Sequence, residues 1–153
     1  MEDEELEILL FSIGDQYYGS DVEKIIEVIR KPEIKQAEDE MDITGKFINF
    51  NEFKIPYIYL YDELGLNSEH IDDDKDCILV DIEGHLVGFG VDSTKEIVVL
   101  PINEIELIPP YIVERMTIEY MWGIGKFEED LIFFLDLRNV IDTDKIRELP
   151  MII

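Results

Sequence analysis

The sequence predicts a mainly β fold, a small barrel or sandwich. Short apolar runs with period-two alternation recur along the whole chain. Turn chemistry rich in Gly, Asp, Asn and Glu separates them. With 153 residues, 46% of them hydrophobic, the chain has enough apolar mass for one domain, or for two very small units sharing a core.

In chain order, Leu6 to Ile13 reads as a strand, and Gly14-Asp15-Gln16 turns it into a second strand from Tyr17. Ser20-Asp21-Val22-Glu23 has the form of a helical capping box, so one helical turn is expected before a strand over Ile25 to Arg30. Pro32 to Thr44 is polar and irregular and reads as a loop. Lys46 to Phe50 and Lys54 to Tyr61 form two strands meeting at Asn51-Glu52-Phe53, followed by a helical turn over Asp62 to Leu66. The hydrophilic stretch Asn67 to Asp76 reads as a connection between halves. Cys77 to Ile82 and His85 to Val91 alternate around Glu83-Gly84, where Gly accepts positive φ. Glu96 to Leu100 is a further strand, and Pro109-Pro110 a stiff corner. Met121 to Phe127 and Leu131 to Leu135 form the last hairpin, around Glu128, Glu129 and Asp130. Asp142 caps an expected helix over Thr143 to Leu149, closed by Pro150.

Charge narrows the partners. Acidic residues number 37 against 13 basic, a net charge of −24. Such a chain repels phosphates and has no basic stripe, which argues against nucleic acid and anionic membrane surfaces. Cys77 is the single cysteine, so no intramolecular disulfide forms and a reducing compartment is expected. The acidic start MEDEELEILL lacks the positive charge of a secretory signal. Runs such as IVVLPI and LIFFL fall far short of the ~20 residues that span a bilayer. A cytoplasmic protein without membrane insertion is expected.

Candidate chemistry is sparse. Asp72, Asp74, Asp76 and Glu83 fall at positions one, three, five and twelve of a calcium loop, but Cys77 occupies the position that needs glycine. A solvated acidic loop is the expectation there, with no metal site. Gly84, Gly88 and Gly90, like Gly123 and Gly125, match no dinucleotide or phosphate loop, because no helix follows. His70 and His85 lie in no catalytic pattern, nor do Ser12, Ser20, Ser68 and Ser93. Cys77 reads as a small core residue. No catalytic residue and no cofactor is expected. The aromatics Phe47, Phe50, Phe53, Tyr57, Tyr59 and Tyr61 remain. Strand alternation prevents all of them from facing one core, so some must lie between two units or on an exposed patch.

Four segments, in order, are similar to one family. LLFSIGDQYYGSDVEKIIEVIR has its opening strand, glycine turn and second strand. INFNEFKIPYIYLYDELGL carries its central pattern through Ile48, Asn49, Pro56, Leu60, Leu64, Gly65 and Leu66. LVGFGVDSTKEIVVLPINEIELIP carries its strand pair through Val87, Gly88, Val91, Asp92 and Glu96, and GIGKFEEDLIFFLDLRNVI its closing hairpin. The chain, from Leu6 to Ile141, resembles the CheW family of chemotaxis coupling proteins. Where the family pattern has Arg-Gly this chain has Asn51-Glu52, Lys46 stands in place of a glycine, and Tyr59 and Tyr61 replace Asp and Arg.

The resemblance implies a single CheW-like domain over residues 6–141, built as two small SH3-like five-stranded β-barrels on a shared core. The first would cover about 14–70 and the second about 77–141, with a short C-terminal helix and tail over 142–153. It implies a non-enzymatic scaffold that couples chemoreceptor cytoplasmic tips to the regulatory domain of the histidine kinase CheA. The partner-binding positions it suggests are Phe47, Ile48, Asn49, Phe50, Asn51, Glu52, Pro56, Val87, Gly88 and Val91. At the Asn51-Glu52 tip the pattern's arginine, suited to bidentate pairing with a carboxylate, is missing.

Overall fold

The opening hairpin runs from β1 (Glu5–Ile13) to β2 (Gln16–Asp21) through a turn where Gly14 has φ 61°, with Ile13 opposite Gln16. The computed structural model describes residues 4–36, 45–63, 75–108 and 120–141. Most of the 67–76 connection, the Pro109-Pro110 corner and the C-terminal helix and tail over 142–153 lie outside them. A 3-10 turn at Val22–Lys24 follows β2, as expected, but its cap is Asp21 rather than Ser20. Asp21 Oδ1 accepts the Glu23 amide at 2.9 Å, while the Ser20 hydroxyl points to the Asp21 carbonyl.

The remaining strands are β3 (Ile25–Ile29), β4 (Lys35–Gln36), β5 (Lys46–Phe50), β6 (Phe53–Tyr59), β7 (Asp76–Ile82), β8 (His85–Val91), β9 (Ser93–Pro101), β10 (Glu106–Leu107), β11 (Met121–Phe127) and β12 (Asp130–Leu135). A short helix α1 (Leu60–Glu63) begins two residues before the expected Asp62. The stretch expected to be loop contains β4, which pairs with β5 through Lys35↔Phe47 and Gln36↔Lys46.

Among the described residues two six-stranded sheets result, ordered β10-β11-β12-β2-β1-β9 and β3-β7-β8-β6-β5-β4. Each has one two-residue edge strand, β10 or β4, beside five longer ones. Both share one pairing pattern: a hairpin (β1–β2 or β7–β8) joins in parallel to a second hairpin (β12 beside β2, β6 beside β8). The fold is therefore mainly β, with two sheets of the same design.

The strands divide between the sheets differently from the expected boundaries of 14–70 and 77–141. β7 and β8 belong with β3–β6, and β2 belongs with β9–β12. The chain starts one sheet with β1–β2, completes the other with β3–β8, and returns to finish the first.

Among the described residues three apolar clusters follow from period-two alternation on strands covered on both faces. Ile8 and Leu10 of β1 join Leu100, Ile132 and Phe134 within the first sheet's own core. Cys77 and Leu79 of β7 join Ile48, Ile55 and Tyr57 within the second. The opposite faces, Leu9, Phe11 and Ile13 with Ile78, Val80 and Ile82, meet in a core between the sheets, joined by Val87, Phe89 and Val91 of β8. Glycines make this possible. A Cβ at Gly88 would come 2.7 Å from Cys77 Sγ, and one at Gly90 would overlap the Tyr57 hydroxyl.

Candidate partner-binding surfaces

The β5–β6 hairpin ends in a two-residue turn with Phe50 opposite Phe53. Asn51 and Glu52 have φ of 49° and 70°, the two positive values of a type I′ turn, whose twist matches that of the strands. Asn tolerates this region through its short polar side chain; Glu at the second position is strained. Asn49, Asn51, Glu52 and Phe53 are exposed, Phe53 at 47%. Phe47 and Phe50 are half-buried, and the Lys54 ammonium sits 4.2 Å from the Phe47 ring centroid. Such a cation–π contact at an exposed site stabilises by about 0.5–1 kcal/mol. The tip thus presents aromatic faces beside one carboxylate, a surface suited to a partner with apolar and cationic groups.

Five of the ten positions suggested for partner binding are elsewhere. Ile48, Pro56, Val87, Gly88 and Val91 are buried. Ile48 faces the second sheet's core, and Val87 and Val91 face the core between sheets. Apolar side chains on strands covered on both faces pack inward, so these five positions lie within the packed interior. The aromatics divide similarly, with Tyr57 and Tyr59 in the second sheet's core and Tyr61 stacked on Tyr59 at 5.7 Å.

Of the four calcium-loop positions weighed in the sequence, two are described. Asp76 and Glu83 stand at opposite ends of β7, more than ~20 Å of strand apart. Asp76 is buried, and its Oδ2 accepts the Thr94 amide at 2.9 Å and the Thr94 hydroxyl at 2.8 Å, with Arg30 at 3.7 Å. Glu83 occupies the β7–β8 turn at φ 54°. Asp72, Asp74 and His70 lie outside the described residues. Among the described residues no group of His, Cys, Asp and Glu is arranged to hold a metal. Burial, and then the Asp76 charge, push the Cys77 thiol up to about 12, which makes it an inert core residue.

Asp92 ties the sheets together. Its Oδ2 accepts the Gly14 amide at 2.7 Å, and its Oδ1 accepts the Tyr59 hydroxyl at 3.1 Å and pairs with Lys75 at 3.0 Å. Partial burial pushes this carboxyl up, but the Gly14 amide, the Lys75 ammonium and the Tyr59 hydroxyl outweigh it and hold the group below its ordinary value.

At the other end of the inter-sheet core, sequence reasoning missed a groove. Leu6, Ile25, Val80, Trp122, Leu135 and Leu137 give it apolar walls, and Asp21, Glu23, Lys24, Asp136 and Arg138 surround them. A neighbouring depression toward the β7–β8 turn shares Lys24, Asp136 and Arg138. These residues come from five separate stretches of the chain, and no local pattern marks them; the lone Trp122 was the one available signal.

Comparison with known proteins agrees with this architecture. The model of a CheW-like domain matches residues 7–145. The chemotaxis protein CheW of Klebsiella aerogenes is 22% identical over 139 residues, covering 91% of this chain and 83% of its own. That of Helicobacter pylori is 22% identical over 142 residues, covering 93% and 85%. Among solved structures, the scaffolding protein TtCheW of Thermoanaerobacter tengcongensis superposes with a TM-score of 0.75 at 27% identity, covering 90% of this chain and 92% of that one.

Proposed function

The chain belongs to the CheW-like domain family, and from that premise we propose that it couples chemoreceptor cytoplasmic tips to the regulatory domain of the histidine kinase CheA. The observation that carries this is likeness over nearly the whole chain to a protein described as a scaffold, at 27% identity and a TM-score of 0.75. The function is geometric: one face holds the kinase and another the receptor, so receptor state biases kinase activity without chemistry in the scaffold. The exposed Phe53 and half-buried Phe47 and Phe50 at the β5–β6 tip supply apolar contact area for the kinase domain. The groove between the sheets supplies a second, separate surface for receptor helices. No helix among the described residues is long and apolar enough to cross a membrane, which accords with a cytoplasmic partner of membrane receptors.

A reconstitution tests it. Purified kinase and receptor-bearing vesicles are mixed with and without this chain, and kinase autophosphorylation is followed. Receptor-dependent activation that requires the chain is the expected result; absence of binding to both kinase and receptor sinks the reading. The Asn51-Glu52 tip, which carries a negative charge in place of the family's Arg-Gly, favours a second reading as an adaptor or competitor in another sensory system. Binding without activation identifies that case.

A further inference from the structure

Resting on the scaffold reading, we infer that Arg138, oriented by Asp136, is a specificity residue of the inter-sheet groove. Its partner is a single Asp or Glu on the apolar face of an amphipathic helix docked there. Arg138 sits in a 3-10 turn, Leu137–Asn139, whose cap is Asp136. Asp136 Oδ1 accepts the Arg138 amide at 3.1 Å and the guanidinium Nε at 3.2 Å, while Oδ2 accepts Asn139 Nδ2 at 2.8 Å. The carboxylate is thus spent on holding the turn and aiming the guanidinium. Among the described residues no acceptor meets the terminal nitrogens of Arg138, whose side chain is 51% exposed. That planar fork is the geometry that takes a carboxylate bidentately.

The surroundings select the occupant. The apolar walls at Leu6, Ile25 and Trp122 accept an apolar helix stripe and reduce the water competing for a charge-assisted bond. Lys24 lines the same groove and adds a second cation. The chain as a whole carries −24, and Glu23 and Asp21 also flank the site, so a run of acids on the partner would be repelled. One carboxylate within an apolar stripe satisfies both conditions.

The probe is a purified chemoreceptor signalling-tip fragment, titrated by calorimetry against the full chain and three variants. In the first, Glu23→Cys carries a bulky maleimide label; Cys77 is buried with its thiol pushed up to about 12, so labelling is confined to the rim. The second is Arg138→Glu and the third Asp136→Asn. The label should abolish binding, and Arg138→Glu should weaken it at least about tenfold, as loss of a charge-assisted pair implies. Asp136→Asn should weaken it less, and a fragment with the matching acid changed to Lys should restore binding to Arg138→Glu. If the label blocks binding while Arg138→Glu binds within about twofold of the parent, the Arg138 role is overturned and groove docking stands. Binding indifferent to both changes overturns the role and the groove together. If the parent binds no fragment, the inference falls with its premise. Self-association abolished by the label would make the occupant a second copy of this chain and also overturn the inference.

Discussion

Glu52 holds a φ of 70°, a region an L-residue with a Cβ enters at a cost of about 1–2 kcal/mol. Glycine has no such cost, so Glu52→Gly should raise the urea midpoint by the equivalent of about 0.5–1 kcal/mol, the remainder being lost to a freer unfolded chain. Combined with Asn51→Arg it restores the family's Arg-Gly pair on an exposed turn. Affinity for a standard CheA regulatory domain should then rise roughly 10- to 150-fold if the tip contacts the kinase. Titration showing unchanged affinity would leave the tip as a turn and nothing more. Gly90 presents the opposite case, since a methyl there lands on the Tyr57 hydroxyl in a core with no room to yield. Gly90→Ala should cost about 1–3 kcal/mol. In a double-mutant cycle, Tyr57→Phe should recover part of that loss, and additive effects would exclude the hydroxyl, though not the ring, as its source.

At the scale of elements, hairpins were legible because their signals are local. Glu83-Gly84 and Glu128 fall in the turns that alternation placed, and Asp21 caps a helical turn one residue from the expected Ser20. Two-residue strands such as β4 were not legible, since neither propensity nor alternation can act over so short a span. Some positions of the family pattern have a packing reason of their own. Val87, Gly88 and Val91 fit the family pattern because β8 needs apolar residues on one face and glycines on the other, which is a packing requirement. Asp92 in the same pattern fastens β8 to the β1–β2 turn and to Tyr59. Its carboxyl binds a proton less readily folded than unfolded, so its contribution is present at neutral pH and fades as pH falls below the ordinary Asp value of about 4. Asp92→Asn should therefore lower stability near pH 7, and variant and parent should converge as pH falls below that ordinary value. Parallel stability curves across that range, measured by urea unfolding, would refute the linkage.

At the scale of the molecule, the assignment of strands to sheets was not legible, because β2 finds β12 across the whole of the second sheet's sequence. No local signal encodes that parallel contact; it follows from burying both faces of β1 and β7 at once. The charge, in contrast, was legible from the start and bears on the folded state as a whole. Thirteen cations cannot neutralise 37 acids, and the ion pairs of Lys75, Arg30 and Arg138 each bind a cation to an acid already serving a cap or a tie. The excess acids repel one another more strongly in the compact state than in the unfolded chain. Salt shortens that repulsion, from a Debye length of about 10 Å at 0.1 M to about 3 Å at 1 M. The urea midpoint should consequently rise with sodium chloride over this range; urea is required because guanidinium would itself screen. Partner attachment should respond differently, since apolar contacts at the β5–β6 tip persist when charges are screened. Affinity for the kinase domain is expected to weaken only in part at 1 M salt. A midpoint that falls with salt would show that attractive pairs outweigh the repulsion, and binding that vanishes while the fold persists would show that charge, and not the aromatic tip, holds the partner.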